Sequence, residues 1–516
     1  MSSRLDPVTL SVLSASLSGI AEEMGAGLIR SAYSSNIKER RDCSSALFDP
    51  SGRMVAQAEH IPVHLGAMPE AVAAVIERNP KPGDAFIVND PYTGGTHLPD
   101  ITIVTPCVHE GEIIGYAITR AHHSDVGGMR AGSMPSDSTE VFQEGLVLPP
   151  VRLMVEGEIV PDVMQILLAN VRTPQLRRGD LRAQLAANDL GAGRLGELVA
   201  RRGLDVVRGA FDEVIAYTNR RTRARVSELP DGAYEAVDFM EGDGARDDDI
   251  PIAVRVTVAG DELTIDFDGT ADAVAGNVNC PLSVTRSACY FALRVLLPAD
   301  VPANAGVLQP VKIVARPGSL VNARTPSAVV AGNVETSQRI ADTVLLALAR
   351  AIDLPAQGQG TMNNLVIGGR GWTYYETIGG GQGASASGPG ASGVHVGMSN
   401  TLNTPIEALE LEFPLRVERQ QLVYDSGGDG LHRGGDGIDR AVRVLEDSGV
   451  SLLTDRRRNA PKGSHGGSDG RPGRNLLDED ELPAKTDLEA PAGGVITVVT
   501  PGGGGWGSNE SDEGSP

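Results

Sequence analysis

Residues 85–128 read AFIVNDPYTGGTHLPDITIVTPCVHEGEIIGYAITRAHHSDVGG. Three runs within this stretch, Ala85 to Val88, Ile101 to Val104 and Ile113 to Thr119, are rich in Ile and Val. They are bounded by Gly, Pro and Asp, the composition of short strands. Two blocks interrupt them: Asn89 to Asp100, which carries His97, and Arg120 to Gly128, which carries His122, His123 and Asp125. Each block ends a strand and enters a glycine-rich loop, and site residues commonly occupy loops held by a rigid sheet.

Outward from this stretch the chain alternates helical and strand patterns. Asp6-Pro7 reads as an N-cap followed by proline at the first helical position. Leu10, Leu13, Leu17, Ile20, Met24 and Leu28 then form one apolar face that should end near Tyr33. Pro69 to Ile76 reads as a shorter helix. From Gly179 to about Val226, Leu, Ala and Arg at helical spacing predict one or two long helices, with a break near Gly191-Gly193. After Asp231-Gly232, residues 252–258 and 263–267 alternate as a hairpin would. Glu335 to Ile352 reads as an amphipathic helix, followed by a glycine-heavy stretch, Gly368 to Gly397, and further strands. Gly463 to Arg474 reads as a loop, Asp478 to Glu481 as a solvated turn, and Ser508 to Pro516 as a frayed tail. The expectation is a mixed α/β (α+β) fold in four stretches. These are an N-terminal α/β region with a metal site (1–178), a helical segment (179–226), a β-rich middle region with a helix (227–365), and a glycine-rich C-terminal β region and tail (366–516).

The 516 residues include only 4% aromatics, so Ala, Val, Leu and Ile must build the core. A net charge of −22 argues against nucleic acid and against an anionic membrane surface, because both demand clustered Lys and Arg. The four cysteines, Cys43, Cys107, Cys280 and Cys289, form no CxxC pair, which fits free thiols in a reducing compartment. There is no signal-peptide pattern at Met1-Ser2-Ser3-Arg4 and no apolar run of membrane-spanning length, so the expected location is the cytoplasm. No GxxxxGK[ST] phosphate loop is present.

The chemistry-bearing residues are the histidines and carboxylates of the two blocks. Imidazole nitrogens and carboxylates can converge on one divalent ion, and His97, His122 and Asp42 are candidates for Mn, Zn or Fe. His122 and His123 are adjacent. On a strand they point to opposite faces, so only one should ligate. The same spacing also suits hydrogen-bonded core histidines and carboxylates that cap loops. A thiol mechanism at Cys43 or Cys280 is weaker, since neither has a histidine beside it in sequence. Successive glycines, Gly379, Gly380, Gly381 and Gly383, offer backbone N–H groups that could cradle an oxyanion or phosphate. Residues 501–507 repeat that composition. His395, Arg419 and Arg433 are further polar candidates without a spacing argument.

Ordered motifs along nearly the whole chain then carry a family resemblance. They are Asp6-Pro7-Val8-Thr9, Asn36-Ile37-Lys38-Glu39-Arg40, Asp42-Cys43-Ser44, the Asn89–Asp100 block and His122-His123-Ser124-Asp125-Val126-Gly127-Gly128. Further on come residues 331–338 (AGNVETSQ), 359–364 (QGTMNN), 374–381 (YYETIGGG), 400–407 (NTLNTPIE) and 500–505 (TPGGGG). By these the chain resembles hydantoinase B/oxoprolinase proteins.

That resemblance implies a hetero-oligomer with an A-type ATPase subunit that phosphorylates the carbonyl oxygen of a small cyclic amide. ATP chemistry would belong to that partner. The B-type chain would then open the ring with metal-bound water, as an ATP-dependent hydrolase of hydantoin, 5-oxoproline or a lactam. The resemblance places the metal on His97 and His122 with Asp42 as the carboxylate, and leaves Asp125 or His123 to accept a proton. Glycine-loop N–H groups would hold the leaving phosphate. Two alternatives stay open: a subunit of a ketone carboxylase of the acetone or acetophenone type, and a non-catalytic scaffold for the A-type subunit.

Overall fold

The computed structural model describes residues 5–59, 61–64 and 66–508. The first helix, Pro7–Ser31, starts as its sequence indicates, with the Asp6 carboxylate accepting the Val8 and Thr9 N–H groups. The stretch around residues 85–128 lies at the centre of a seven-stranded sheet. Its strands are β1 (Cys43–Phe48), β2 (Met54–Glu59), β3 (Ala85–Val88), β4 (Asp100–His109), β5 (Glu112–His122), β6 (Val151–Val155) and β7 (Glu158–Ile159). They run in the order β2-β1-β5-β4-β3-β6-β7, and every pairing is antiparallel.

Both faces of this sheet are covered, and period-two alternation sorts the side chains between them. Leu47 and Ala117 pack against Leu13, Leu17 and Met24 of the first helix, Leu195 of helix Pro174–Arg202 and Phe211 of helix Leu204–Val226. Their neighbours Ala46 and Ile118 point the other way. They join Val254, Val256, Val284 and Ile340, contributed by a second sheet and by helices Leu282–Leu296 and Ser337–Leu348. That second sheet comprises β8 (Gly232–Glu241), β9 (Asp249–Ala259), β10 (Glu262–Asp266) and β11 (Val311–Val314) in the order β11-β10-β9-β8. The hairpin expected within 252–267 is β9 and β10, paired antiparallel.

The C-terminal part forms two further sheets. One joins β12 (Asn364–Gly369), β13 (Trp372–Glu376), β16 (Ser448–Leu453) and β19 (Lys485–Ala490). The other joins β14 (Leu415–Val423), β15 (Gly437–Val444), β17 (Arg474–Leu477), β18 (Asp480–Leu482) and β20 (Val495–Val499). The acidic run at 478–481 spans the turn between β17 and β18 and the start of β18, with Asp478 at φ 55°.

Two details differ from the sequence reading. The helix runs unbroken through Gly191 and Gly193, and the break falls at Gly203, whose φ is 88°. Gly191 is a contact point: a Cβ there would lie 2.3 Å from Met24 Sδ, so the missing side chain lets two helices approach. Glu335 does not open a regular helix but lies in a π-helical turn, Gly332–Thr336, ahead of Ser337–Leu348. The frayed tail expected from Ser508 onward falls, beyond Ser508 itself, outside the described residues.

Candidate metal centre

The register of β4 and β5 builds the site. Asp100 pairs with His122 across the ladder, which puts both side chains on one face at the end of the sheet. A tight turn, Asp100 N–H to His97 O at 3.1 Å, folds His97 back over that end. His97 Nε2 then lies 3.1 Å from Asp100 Oδ1 and 3.2 Å from His122 Nδ1, and His122 Nδ1 lies 3.1 Å from Asp100 Oδ1. All three side chains are buried.

The donor set fits a divalent ion. Ligand atoms about 2.1 Å from a common ion sit about 3.0 Å apart at right angles and about 3.4 Å apart at the tetrahedral angle, and the three edges fall in that range. The tautomer adds a second reason. His97 Nδ1 lies 3.3 Å from the Val330 carbonyl, which can only accept, so Nδ1 carries the proton. With Nε2 free of a proton, its lone pair faces the Asp100 carboxylate and the His122 ring, and a cation in that place would be met by all three ligand atoms.

The surroundings hold the three groups. Asp100 Oδ2 accepts from Thr96 Oγ1 at 2.6 Å and from Asn333 Nδ2 at 3.3 Å, and it lies 3.4 Å from His64 Nε2. His64 Nδ1 faces Ser44 Oγ at 3.0 Å. Burial by itself would raise the Asp100 carboxyl, but when His97 is protonated its charge, with hydrogen bonds from His122, His64 and His97, holds it well below the usual range. Burial lowers His122, against the pull of Asp100 and Asp42. The Tyr375 ring stacks on His122, with centroids 4.5 Å apart and planes 14° apart, and Arg40 lies 4.9 Å from the Tyr375 centroid. Tyr375 Oη donates to Asn364, whose amide donates to Glu335.

The structure thus brings His97 and His122 together, as the sequence indicated, and the third converging donor is Asp100. Asp42 stands beside the site: its backbone carbonyl accepts the His122 N–H at 3.0 Å, and its charge reaches His122 and Tyr375. Its carboxylate is not among the converging ligand atoms. Asp100 was legible in principle, three residues after His97 at the start of a strand. His64, Asn333 and Tyr375 come from loops and strands distant in sequence, and no local signal marks them.

His123 and Asp125 take other roles. Strand alternation sends His123 to the opposite face, where Nε2 meets Gln184 Oε1 at 2.9 Å. Burial pushes its pKa down to about 4, with Arg177 adding to the shift. Asp125 accepts the N–H groups of Gly127, Gly132 and Arg172 and an ion pair from the Arg172 guanidinium at 2.9 Å, so it organises its loop.

Two of the candidate glycines are engaged by backbone hydrogen bonds. Gly380 N–H donates to Val394 O and Gly381 N–H to Pro501 O, so these two are not free for an anion. A Cβ on Gly381 would lie 2.0 Å from Gly435 O, and one on Gly383 would lie 1.8 Å from Ala356 O. The glycine runs interlock with one another through their backbones. All four cysteines are buried free thiols, and burial pushes Cys107 and Cys280 up to about 12, which opposes thiolate chemistry. His395 bonds Ser399 and burial pushes it down to about 3, while Arg419 and Arg433 pair with Asp439 and Asp436.

A large cavity, about 1490 Å³, lies away from the triangle. It runs between the first helix, helix Leu204–Val226 and residues 299–303, and its nearest approach in sequence to the site is Arg41, next to Asp42. Among the described residues, no helix is long and apolar enough to cross a membrane.

The fold is mixed α/β, with a buried cluster of His97, Asp100 and distal His122 whose geometry could hold a metal ion. The chain belongs to the hydantoinase B/oxoprolinase family, whose profile matches residues 6–509. It is 39% identical to 5-oxoprolinase 1 of Arabidopsis thaliana over 98% of this chain and 42% of that protein. The chain therefore spans about two-fifths of the length of such relatives. It is 34% identical to a putative B-type chain of the D-/L-hydantoinase of Pseudomonas sp., over 98% of this chain and 90% of that one. Its fold matches the crystal structure of the ATP-dependent caprolactamase of Pseudomonas jessenii with a TM-score of 0.92 and 29% identity, covering 98% of this chain and 92% of that one. The fold of acetone carboxylase matches with a TM-score of 0.86 at 19% identity, covering 97% and 76%.

Proposed function

We propose that this chain is the B-type subunit of an ATP-dependent cyclic amide hydrolase, acting in the cytoplasm on a substrate that an A-type ATPase subunit has phosphorylated. The observation that carries the reading is the His97–Asp100–His122 triangle, set in a fold that matches a caprolactamase along nearly its full length. An amide resists attack because nitrogen donates into its carbonyl, and phosphorylating the oxygen removes that protection. A divalent ion (Mn, Zn or Fe) on the three donors would supply Lewis acidity and lower the pKa of water at the site.

The rest of the work falls to the chain itself. Thr96, Asn333 and His64 fix the Asp100 carboxylate, and the Val330 carbonyl fixes the His97 tautomer. Tyr375 covers one face of His122 and keeps water from it. His64, between Asp100 and Ser44, is placed to hold a proton released at the site. The buried setting strengthens each of these interactions.

The test is reconstitution with the ATPase partner. The chain, the partner, ATP, a divalent ion and a panel of 5-oxoproline, hydantoins and lactams should give ring-opened product with ATP consumed. Turnover that requires bicarbonate and a ketone would favour the carboxylase reading, which rests on likeness of fold. Ring opening that survives loss of both His97 and His122 in an intact complex would favour the scaffold.

A further inference from the structure

Glu144 is fully buried at the end of the short helix Val141–Glu144, away from the triangle. Its Oε1 accepts three hydrogen bonds: from Val329 N–H at 2.9 Å, Val330 N–H at 3.0 Å and Ser138 Oγ at 3.0 Å. The backbone it grips is the one that orders the site. Val330 presents its carbonyl to His97 Nδ1 at 3.3 Å, and three residues on, Asn333 donates to Asp100 Oδ2 at 3.3 Å. One segment thus touches two of the three converging donors, and a carboxyl group 185 residues away in sequence anchors it.

We propose that Glu144 is a positioning residue for the candidate centre, which by pinning the Val329–Val330 backbone decides which ring nitrogen of His97 carries the proton. This rests on the metal reading above. With the Val330 carbonyl held in place, the proton stays on Nδ1 and Nε2 offers its lone pair. With that carbonyl released, the Nε2–H tautomer becomes accessible and directs a proton into the place of the cation. The outer partner of a ligating histidine acts in this way generally, by fixing tautomer and ring orientation. Here the outer partner is a backbone carbonyl, so its own anchor inherits the role.

The test uses the purified full chain stripped of metal, as wild type, Glu144→Ala, Glu144→Asp and Glu144→Gln. Two readouts are taken: Zn²⁺ affinity by competition with a chelator, and the ¹⁵N shifts of labelled histidines, with His97 assigned by His97→Gln. Glu144→Ala should weaken Zn²⁺ binding by roughly 10- to 100-fold and turn the single Nδ1–H pattern of His97 into a mixture. Glu144→Gln keeps a side-chain oxygen for the two N–H groups and should stay close to wild type on both readouts. If Glu144→Ala does not fold, Glu144→Asp, one methylene short of Val329, should show the same changes in milder form. Unchanged affinity and an unchanged His97 pattern in a folded Ala or Asp variant would overturn the proposal. Should the wild-type chain bind no Zn²⁺, the metal reading falls, and the His97 pattern alone still decides whether Glu144 sets the tautomer.

Discussion

Asp100 and His122 are cross-strand partners on β4 and β5, with Asp100 Oδ1 and His122 Nδ1 3.1 Å apart. Antiparallel pairing brings a carboxylate and an imidazole into contact without any motif of fixed sequence spacing. His97 joins them through a single turn. The arrangement makes specific demands on each residue around it.

Metal content should separate Asp100 from Asp42. Elemental analysis of the wild-type chain should find a near-stoichiometric divalent ion, which Asp100→Asn and the His97→Ala/His122→Ala double variant lose. Asp42→Asn should keep it, because its carboxylate lies outside the converging donors. In the reconstituted enzyme, Asp100→Asn should lower kcat/KM by about 100-fold or more, the loss of several kcal/mol of charge stabilisation. Retention of metal by Asp100→Asn together with its loss from Asp42→Asn would reverse the assignment of the third donor.

Tyr375 should show two separable contributions. Tyr375→Phe keeps the stack on His122 but strips Asn364 Oδ1 of its 2.9 Å donor, at a cost of about 1–3 kcal/mol in urea unfolding. Tyr375→Ala also removes a buried ring and should cost about 3–5 kcal/mol. Equal costs for the two substitutions would mean that the ring itself contributes little.

The contribution of two buried carboxyl groups to stability should fall as pH rises between about 4.5 and 8. Burial, reinforced by Asp455, pushes Glu335 up to about 7, and burial pushes Glu144 up to about 8, each from 4.5. A raised carboxyl pKa means that the folded state binds the proton more tightly. The contribution is complete below the unfolded value and is lost as pH rises through the folded one. Glu335→Gln does not titrate, so its stability relative to wild type should climb from pH 5 to pH 7, by up to roughly 1.4 kcal/mol per pH unit. Chemical denaturation at each pH measures this, and a flat difference would contradict the buried, raised carboxyl.

Two glycines should respond in opposite directions to alanine. Gly383→Ala drives a Cβ to within 1.8 Å of the Ala356 carbonyl oxygen and should destabilise the C-terminal sheets strongly. Gly193→Ala, in the interior of helix Pro174–Arg202 with nothing within 4 Å, should stabilise by about 0.5–1 kcal/mol. Thermal melts of the two variants against wild type test both signs.

Read by itself, the sequence determined the first helix with its Asp6 cap and the strands at residues 85–88, 101–104 and 113–119, and it singled out His97 and His122, whose side chains the structure brings together. Those features are local: a cap spans three residues, strand alternation has period two, His122 ends a strand and His97 lies three residues before one. The same alternation rule already required His122 and His123 to part, and the structure shows which of them faces the site.

Only the tertiary structure decided the rest. It added Asp100 to the two histidines through a strand register, and it brought Val330, Asn333 and Tyr375 to a site whose histidines lie more than 200 residues earlier. It also engaged two N–H groups of the expected anion cradle, Gly380 and Gly381, with the carbonyls of Val394 and Pro501 on neighbouring glycine-rich loops. Residue type and period reveal which face a side chain occupies. Which distant segment meets that face depends on burying apolar surface and satisfying buried polar groups across the whole chain, and no local pattern encodes that.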